Sequence, residues 1–208
     1  MYKKLTDEQI QIIIDSGIAE FAHEGFVGAN LSRIAKNAGV SVGVIYKYYA
    51  DKKDLFLACV RYGLNALTDA LKEVAFKSDN LEASIRAVVR TLINHSKRNV
   101  NINMMYNEIT SGGAKEFAGM LAEEIEGISA LVYTDLLRKA REEGKCRKDL
   151  DPATVAFFID NLFMMLQFSY SCDYYKERLK LYLGADAMDN DELMEHELVR
   201  FICNALGM

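Results

Sequence analysis

The sequence predicts an all-α protein of nine helices, and three observations carry that expectation. The 208 residues contain one Pro and few β-branched runs, so little interrupts a helix. Apolar residues recur at i, i+3, i+4 and i+7 in segment after segment. Each segment is punctuated by a residue that starts helices, such as Thr6, Asn30, Asp51 or Asp151-Pro152, or by one that stops them, such as Gly25, Gly39 or Gly144.

Taken in order, Thr6-Asp7-Glu8-Gln9 has the form of a capping box. Ile10, Ile13, Ile14, Gly17, Ile18 and Phe21 continue a first helix to His23. Gly25 ends it, and Phe26 packs beneath the next two helices. Leu31, Ile34, Ala35 and Ala38 define a short second helix capped by Asn30. Gly39-Val40-Ser41 is a tight turn: Gly39 takes the left-handed conformation, Val40 points back to the core, and the Ser41 hydroxyl caps the next helix. The third helix, Val42 to Tyr48, buries Val44 or Ile45. Val42, Gly43, Tyr46, Lys47 and Tyr48 are its outward candidates. Two short helices joined by a glycine turn form a helix-turn-helix, whose second helix fits the DNA major groove.

Asp51 opens a long fourth helix, Lys52 to about Phe76, which spans roughly 35–40 Å. A polar break, Lys77 to Asn80, precedes a fifth helix from Leu81 to Arg98, with Asp79 as its expected cap. Five asparagines between Asn94 and Asn107 place a turn near Asn99–Asn101 and a sixth helix from Ile102 to Thr110. Ser111-Gly112-Gly113 breaks the chain. A seventh helix runs from about Ala114 to Glu143, with Phe117, Met120, Leu121, Ile125, Ile128, Val132, Leu136 and Leu137 as its apolar face. Asp151-Pro152 starts the eighth, which reaches about Tyr170. Tyr174 to Leu183 either extends it or stands as a separate helix. After a loop, Gly184 to Asn190, a ninth helix runs from Asp191 to Leu206. The expected division is a DNA-binding domain at 1–50 and a second helical domain at 51–208.

The run AGVSVGVIYKYYADKKDLF, with IAEFAHEGF ahead of it, resembles the N-terminal domain of the tetracycline-repressor (TetR/AcrR) family over Ile10 to Cys59. The chain departs from that pattern at Ala29-Asn30, where the family carries Thr-Ser or Thr-Thr, and at Lys47-Tyr48-Tyr49. The resemblance implies a TetR-like fold: a three-helix DNA-binding domain joined to a helical ligand-binding and dimerisation domain. By position it makes Tyr46 and Lys52 phosphate contacts. Asn30, Ser32 and Ser41 complete the expected DNA-binding set with Val42, Gly43, Lys47 and Tyr48. Lys47 has the reach for a phosphate or a guanine edge. The resemblance also implies an effector bound between the long fourth helix and helices five to eight. Tyr62, His95, Met104, Met105, Asn107, Met120, Asn161 and Met165 are the candidates, because Met adapts to apolar shapes and His and Asn orient a ligand.

The eighth helix carries Phe157, Phe158, Phe163, Met164, Met165, Phe168 and Tyr170 almost all round, so one side needs a partner. Relatives form a four-helix dimer interface from their last two helices. Phe158, Met165, Leu198, Phe201 and Ile202 are the expected interface here, in a homodimer that matches a palindromic double-stranded operator.

Net charge is −5, and residues 1–54 carry seven basic and seven acidic side chains. That balance argues against general coating of nucleic acid but allows a local patch. Cys59, Cys146, Cys172 and Cys203 match no zinc spacing and read as plain thiols in a reducing cytoplasm. No signal peptide opens the chain, and no uncharged apolar run reaches the roughly 18–20 residues of a membrane span. His23, His95 and His196 belong to no catalytic motif, and the carboxylates, Glu123, Glu124 and Glu126 among them, are expected on exposed faces. No cofactor, metal or catalytic residue is expected. The expected function is a ligand-responsive regulator, a repressor released from its operator by a small apolar or aromatic effector. The alternative is a helical small-molecule-binding or protein-interaction module that does not bind DNA.

Overall fold

The computed structural model describes residues 4–75, 77, 80–111 and 117–208, without the side chains of Ala75, Ala118, Ile125 and Ile128. Among the described residues there are ten α-helices and no strand: α1 Asp7–Gly28, α2 Leu31–Asn37, α3 Val42–Tyr48, α4 Lys52–Ala75, α5 Leu81–Arg98, α6 Val100–Thr110, α7 Ala118–Glu142, α8 Pro152–Ser171, α9 Asp173–Leu183 and α10 Asp191–Leu206. The all-α expectation holds, and the count is ten instead of nine. Cys172 is extended and ends α8, so Tyr174 to Leu183 belongs to a separate helix. Only Asn99 separates α5 from α6, a tighter turn than Asn99–Asn101. The Asn99 amide and its side-chain NH₂ both donate to the His95 carbonyl, which closes α5 within one residue. Four expected features, Phe76 as a helix end, Asp79 as a cap, Gly112-Gly113 as a breaker and Ala114 as a helix start, lie outside the described residues. Asn80 caps α5, accepting from the Ala83 amide at 3.0 Å.

The helices pack into two compact units, Met1–Asn65 with Asn101–Ala118, and Ala66–Val100 with Gly119–Met208. In the first unit the capping box forms as expected, Gln9 N to Thr6 Oγ1 at 3.2 Å and Thr6 N to Gln9 Oε1 at 3.0 Å. Gly25 interrupts α1 with φ +67°, and one more helical turn runs from it to Gly28. The core combines Ile13, Ile14, Ile18, Ile34, Ile45 and Leu55 with a phenylalanine cluster. In that cluster Phe56 meets Phe21 edge-on at 5.1 Å between centroids, and Phe26 meets Phe117 edge-on at 4.9 Å, arrangements that suit the ring quadrupoles.

In the second unit, α5 and α8 are packed together, and α10 covers α5. Val88, Val89, Leu92, Ile159, Phe163, Leu166, Val199 and Ile202 fill the core. Glu195 on α10, nearly buried, accepts a bidentate pair from Arg90 at 2.7 and 2.9 Å and a third bond from Arg86 at 3.3 Å. Fork geometry of this kind fixes the register of α10 on α5. By length and composition α8 could cross a bilayer. Asp160, Asn161 and Gln167 lie within it, however, and Ala156, Ile159, Phe163, Leu166 and Tyr170 pack into the unit's own core.

Helices α1 and α4 approach closely at Gly17, where a Cβ would lie 2.7 Å from the buried Cys59 Sγ. Overpacking a core costs about 1–3 kcal/mol. Gly17→Ala should therefore lower the unfolding free energy by that amount, read as a lower urea midpoint at unchanged denaturant slope. Cys59→Ala in the same chain should recover part of the loss.

Candidate nucleic-acid interface

The helix-turn-helix is built from local hydrogen bonds. After the last residue of α2, Ala38 N bonds Ile34 O at 2.9 Å, Gly39 N bonds Lys36 O at 3.2 Å, and Val40 N bonds Ala35 O at 2.9 Å. With Gly39 at φ +69° this is a Schellman turn. Ile34 and Ile45, both wholly buried, hold the two helices on the unit's core. Of the two residues expected inside α3, Ile45 is the buried one and Val44 is half-buried. Ser41, Gly43, Tyr46 and Lys47 are exposed, with Tyr46 at 55%, while Val42 and Tyr48 are half-buried. Ser41 stands at the N-cap position of α3 but makes no side-chain cap bond, so its hydroxyl is not spent there.

The start of α2 rests on a buried acid. Glu20 Oε1 accepts from the Asn30 amide at 2.8 Å and from Arg33 Nε at 2.7 Å. Burial pushes the Glu20 pKa up, but the Arg33 and Asn30 hydrogen bonds outweigh it and hold the carboxyl below its ordinary value. Asn30 Oδ1 in turn accepts from the Ser32 amide at 2.7 Å. Asn30 is thus a cap, as expected, with its side-chain oxygen already engaged. Ser32 is exposed beside it.

Two candidates have internal partners that sequence reasoning missed. Lys52 Nζ donates to the Val27 and Ala29 carbonyls at 3.0 and 3.1 Å and sits 5.0 Å above the Phe26 ring. It caps the last turn of α1, and two of its three N–H donors are spent inside the protein and not on a phosphate. Tyr48 is expected from the sequence to offer its ring outward, but its hydroxyl accepts from the Leu5 amide at 2.6 Å. Neither partner is close in sequence, and no local signal marks them.

The effector candidates divide between the units: Tyr62, Met104, Met105 and Asn107 in the first, His95, Met120, Asn161 and Met165 in the second. Met105 is 2% exposed and is a core residue. Asn161 Nδ2 donates to the Phe157 carbonyl at 2.7 Å. Tyr62 and Met120 are exposed, and Met104, Asn107 and Met165 are half-buried. His95 is half-buried, its ring nitrogens have no hydrogen-bond partner among the described residues, and burial lowers its pKa. A crevice lined by Leu137, Cys146, Leu150, Pro152, Val155 and Leu206 offers about 10 Å³, space for a water at most. Of the expected dimer contacts, Phe158 and Phe201 are 60% and 61% exposed, and Met165 and Leu198 are half-buried. Ile202, at 1%, is instead taken up by the core of its own chain.

One acid pair contradicts the expectation of exposed carboxylates. Glu126 on α7 is half-buried and faces Asp160 on α8. Burial, then the charge and hydrogen bond of Glu126, push the Asp160 carboxyl up to about 7 against an opposing Ser129 hydroxyl. The sequence holds a signal for it: an acid within a run apolar on all sides must be paired or neutral. Among the described residues no three His, Cys, Asp or Glu side chains are placed to hold a metal ion.

These contacts set two expected outcomes. Lys52→Ala, with two charge-assisted bonds lost, should destabilise the DNA-free protein by about 1–3 kcal/mol, whereas exposed Lys36→Ala should stay within about 0.5 kcal/mol, both read by urea unfolding. The Asp160 pKa is raised on folding, so its protonated form favours the fold and that contribution is lost as pH rises. The stability gain from Asp160→Asn should grow from about pH 4 to about pH 7 and stay level above. A gain independent of pH would contradict the acid pair.

The family model "Bacterial regulatory proteins, tetR family" matches residues 13–59, which hold the helix-turn-helix. The chain is 26% identical over 129 residues to the fatty acid metabolism regulator protein of Bacillus subtilis, an alignment covering 55% of this chain and 66% of that protein. It is 33% identical over 91 residues to the HTH-type transcriptional regulator BetI of Yersinia pestis, covering 43% of this chain and 46% of BetI. Among solved structures, FadR from Bacillus subtilis in complex with stearoyl-CoA has the same fold, with TM-score 0.73 and 17% identity over 91% of this chain and 97% of that one. The match at the motif and the shared fold agree: residues 13–59 are similar to the tetR family of bacterial regulatory proteins, and the chain has the fold of FadR.

Proposed function

We propose that the chain is a ligand-responsive, DNA-binding transcriptional regulator that acts as a repressor in the cytoplasm. Residues 1–50 carry the DNA-binding function, and residues 51–208 carry effector binding and dimerisation. The observation that supports this best is α3 itself. Ile45 is anchored in the core while Gly43, Tyr46 and Lys47 are exposed on the same short helix. Gly43 keeps the backbone free of bulk, so the helix can approach base edges, and Lys47 and Tyr46 have donors for phosphate or guanine.

A homodimer would pair the Phe158 and Phe201 faces and set two copies of α3 on the half-sites of a palindromic operator. Large exposed aromatics on two helices of one unit support such pairing. The similarity to the stearoyl-CoA complex of FadR supports an apolar effector, with His95 as the polar contact that orients it. Only an effector that binds the released form better than the operator-bound form can shift the equilibrium. This reading assigns no catalytic step to the chain.

The test uses fluorescence anisotropy with a labelled duplex taken from DNA immediately upstream of the chain's own gene. Saturable binding with two chains per site is expected, and Lys47→Ala should weaken it about tenfold or more. Absence of saturable binding, or indifference to Lys47→Ala, would favour a helical interaction module that does not touch DNA.

A further inference from the structure

The hydroxyl of Tyr48 joins the last residue of α3 to a segment far away in sequence. It accepts from the Leu5 amide at 2.6 Å, across 43 residues, and the capping box at Thr6 then fixes the next residue at the head of α1. Residues 4–6 are therefore held against the C-terminal end of α3. Lys4 is exposed and has no ion pair or hydrogen bond among the described residues. Its Cα is one peptide, about 3.8 Å, from the residue whose amide Tyr48 holds. A phenol that accepts from an amide keeps its own O–H as a donor, and accepting strengthens that donor.

Residues 1–54 carry equal numbers of basic and acidic side chains. Several of the basic ones are turned to protein partners. Arg33 pairs with Glu20 and Glu24, Lys52 binds two carbonyls, and Lys53 lies 4.8 Å above the Phe117 ring. A surface so balanced draws its attraction for phosphate from few cations, so one more beside α3 has a measurable weight.

We propose that Tyr48 is a positioning residue that holds Lys4 beside α3, where Lys4 makes a further phosphate contact in the DNA interface. The proposal rests on the DNA-binding reading above. Tyr48 is thereby a joint between the N-terminal segment and α3, and its remaining O–H adds a second donor to the region that Lys4 brings to the duplex backbone.

The test uses the full chain and the same upstream duplex, with affinity measured over about 50–200 mM salt. Lys4→Ala should reduce the slope of log affinity against log salt by about 0.9, and Lys4→Arg should retain it. In a Tyr48→Phe background Lys4→Ala should change nothing further, since the segment is no longer held. In the DNA-free protein, hydrogen exchange at the Leu5 amide should be faster in Tyr48→Phe than in the wild type. An unchanged slope in Lys4→Ala, while the wild type binds, would overturn the proposal and leave the regulator reading intact. So would equal losses in the two backgrounds. Should Tyr48→Phe abolish binding, the Lys4→Ala and Lys4→Arg slopes with the Leu5 exchange rate decide. Failure of the wild type to bind the duplex would overturn both.

Discussion

The orientation of α2 and α3 depends on one buried carboxylate. Glu20 sits on α1 at 8% exposure, and its oxygen is shared by the Asn30 amide and the Arg33 guanidinium. A lone buried carboxylate would cost several kcal/mol, so its partners are held firmly. Asn30 is the cap of α2, and Arg33 lies in its first turn. The Schellman turn at Gly39 then passes the position of α2 on to α3. The exposed face of α3 therefore inherits its placement from α1, through one acid, one cap and one left-handed glycine.

The same unit uses its cations in two ways. Arg33, Lys52 and Lys53 are spent on carboxylates, carbonyls and rings, while Lys47, with Gly43 and Tyr46, stays at the surface of α3. The inward group fixes the turn from α1 into α2 and the start of α4. The neutral charge balance of residues 1–54 is thus compatible with a local positive face. The second unit shows a similar pattern with opposite emphasis. Arg86 and Arg90 converge on Glu195 to set α10 on α5, and Asp160 with Glu126 forms the one acid pair among the described residues for which burial pushes a carboxyl up to about 7.

What the sequence made legible is what is encoded locally. The capping box at Thr6, the caps at Asn30, Asp51 and Asp151, the turn at Gly39 and the end at Gly144 all depend on residues within five positions of each other. Burial of Ile34 and Ile45 agrees with helical spacing. The missed features are those set by distant partners. Lys52 meets Val27 across 25 residues, Tyr48 meets Leu5 across 43, and Arg90 meets Glu195 across 105. A phosphate contact and an internal clamp look alike in a lysine until its neighbours are known. The division of α8 from α9 is not legible in the sequence because Cys172 carries no local stop signal; the break is enforced by its extended backbone. Ile202 has the same spacing as the exposed Phe201 and differs only in which side of α10 meets α5.

In the proposed function α3 and its surroundings face the duplex. Hydrogen–deuterium exchange of the full chain with and without the upstream duplex measures that most directly. Slower exchange on adding duplex, confined to the amides around residues 4–6, 30–33 and 41–48, is the expected result. Unchanged exchange in those segments under conditions where the duplex is bound, with protection appearing only in residues 119–208, would contradict it.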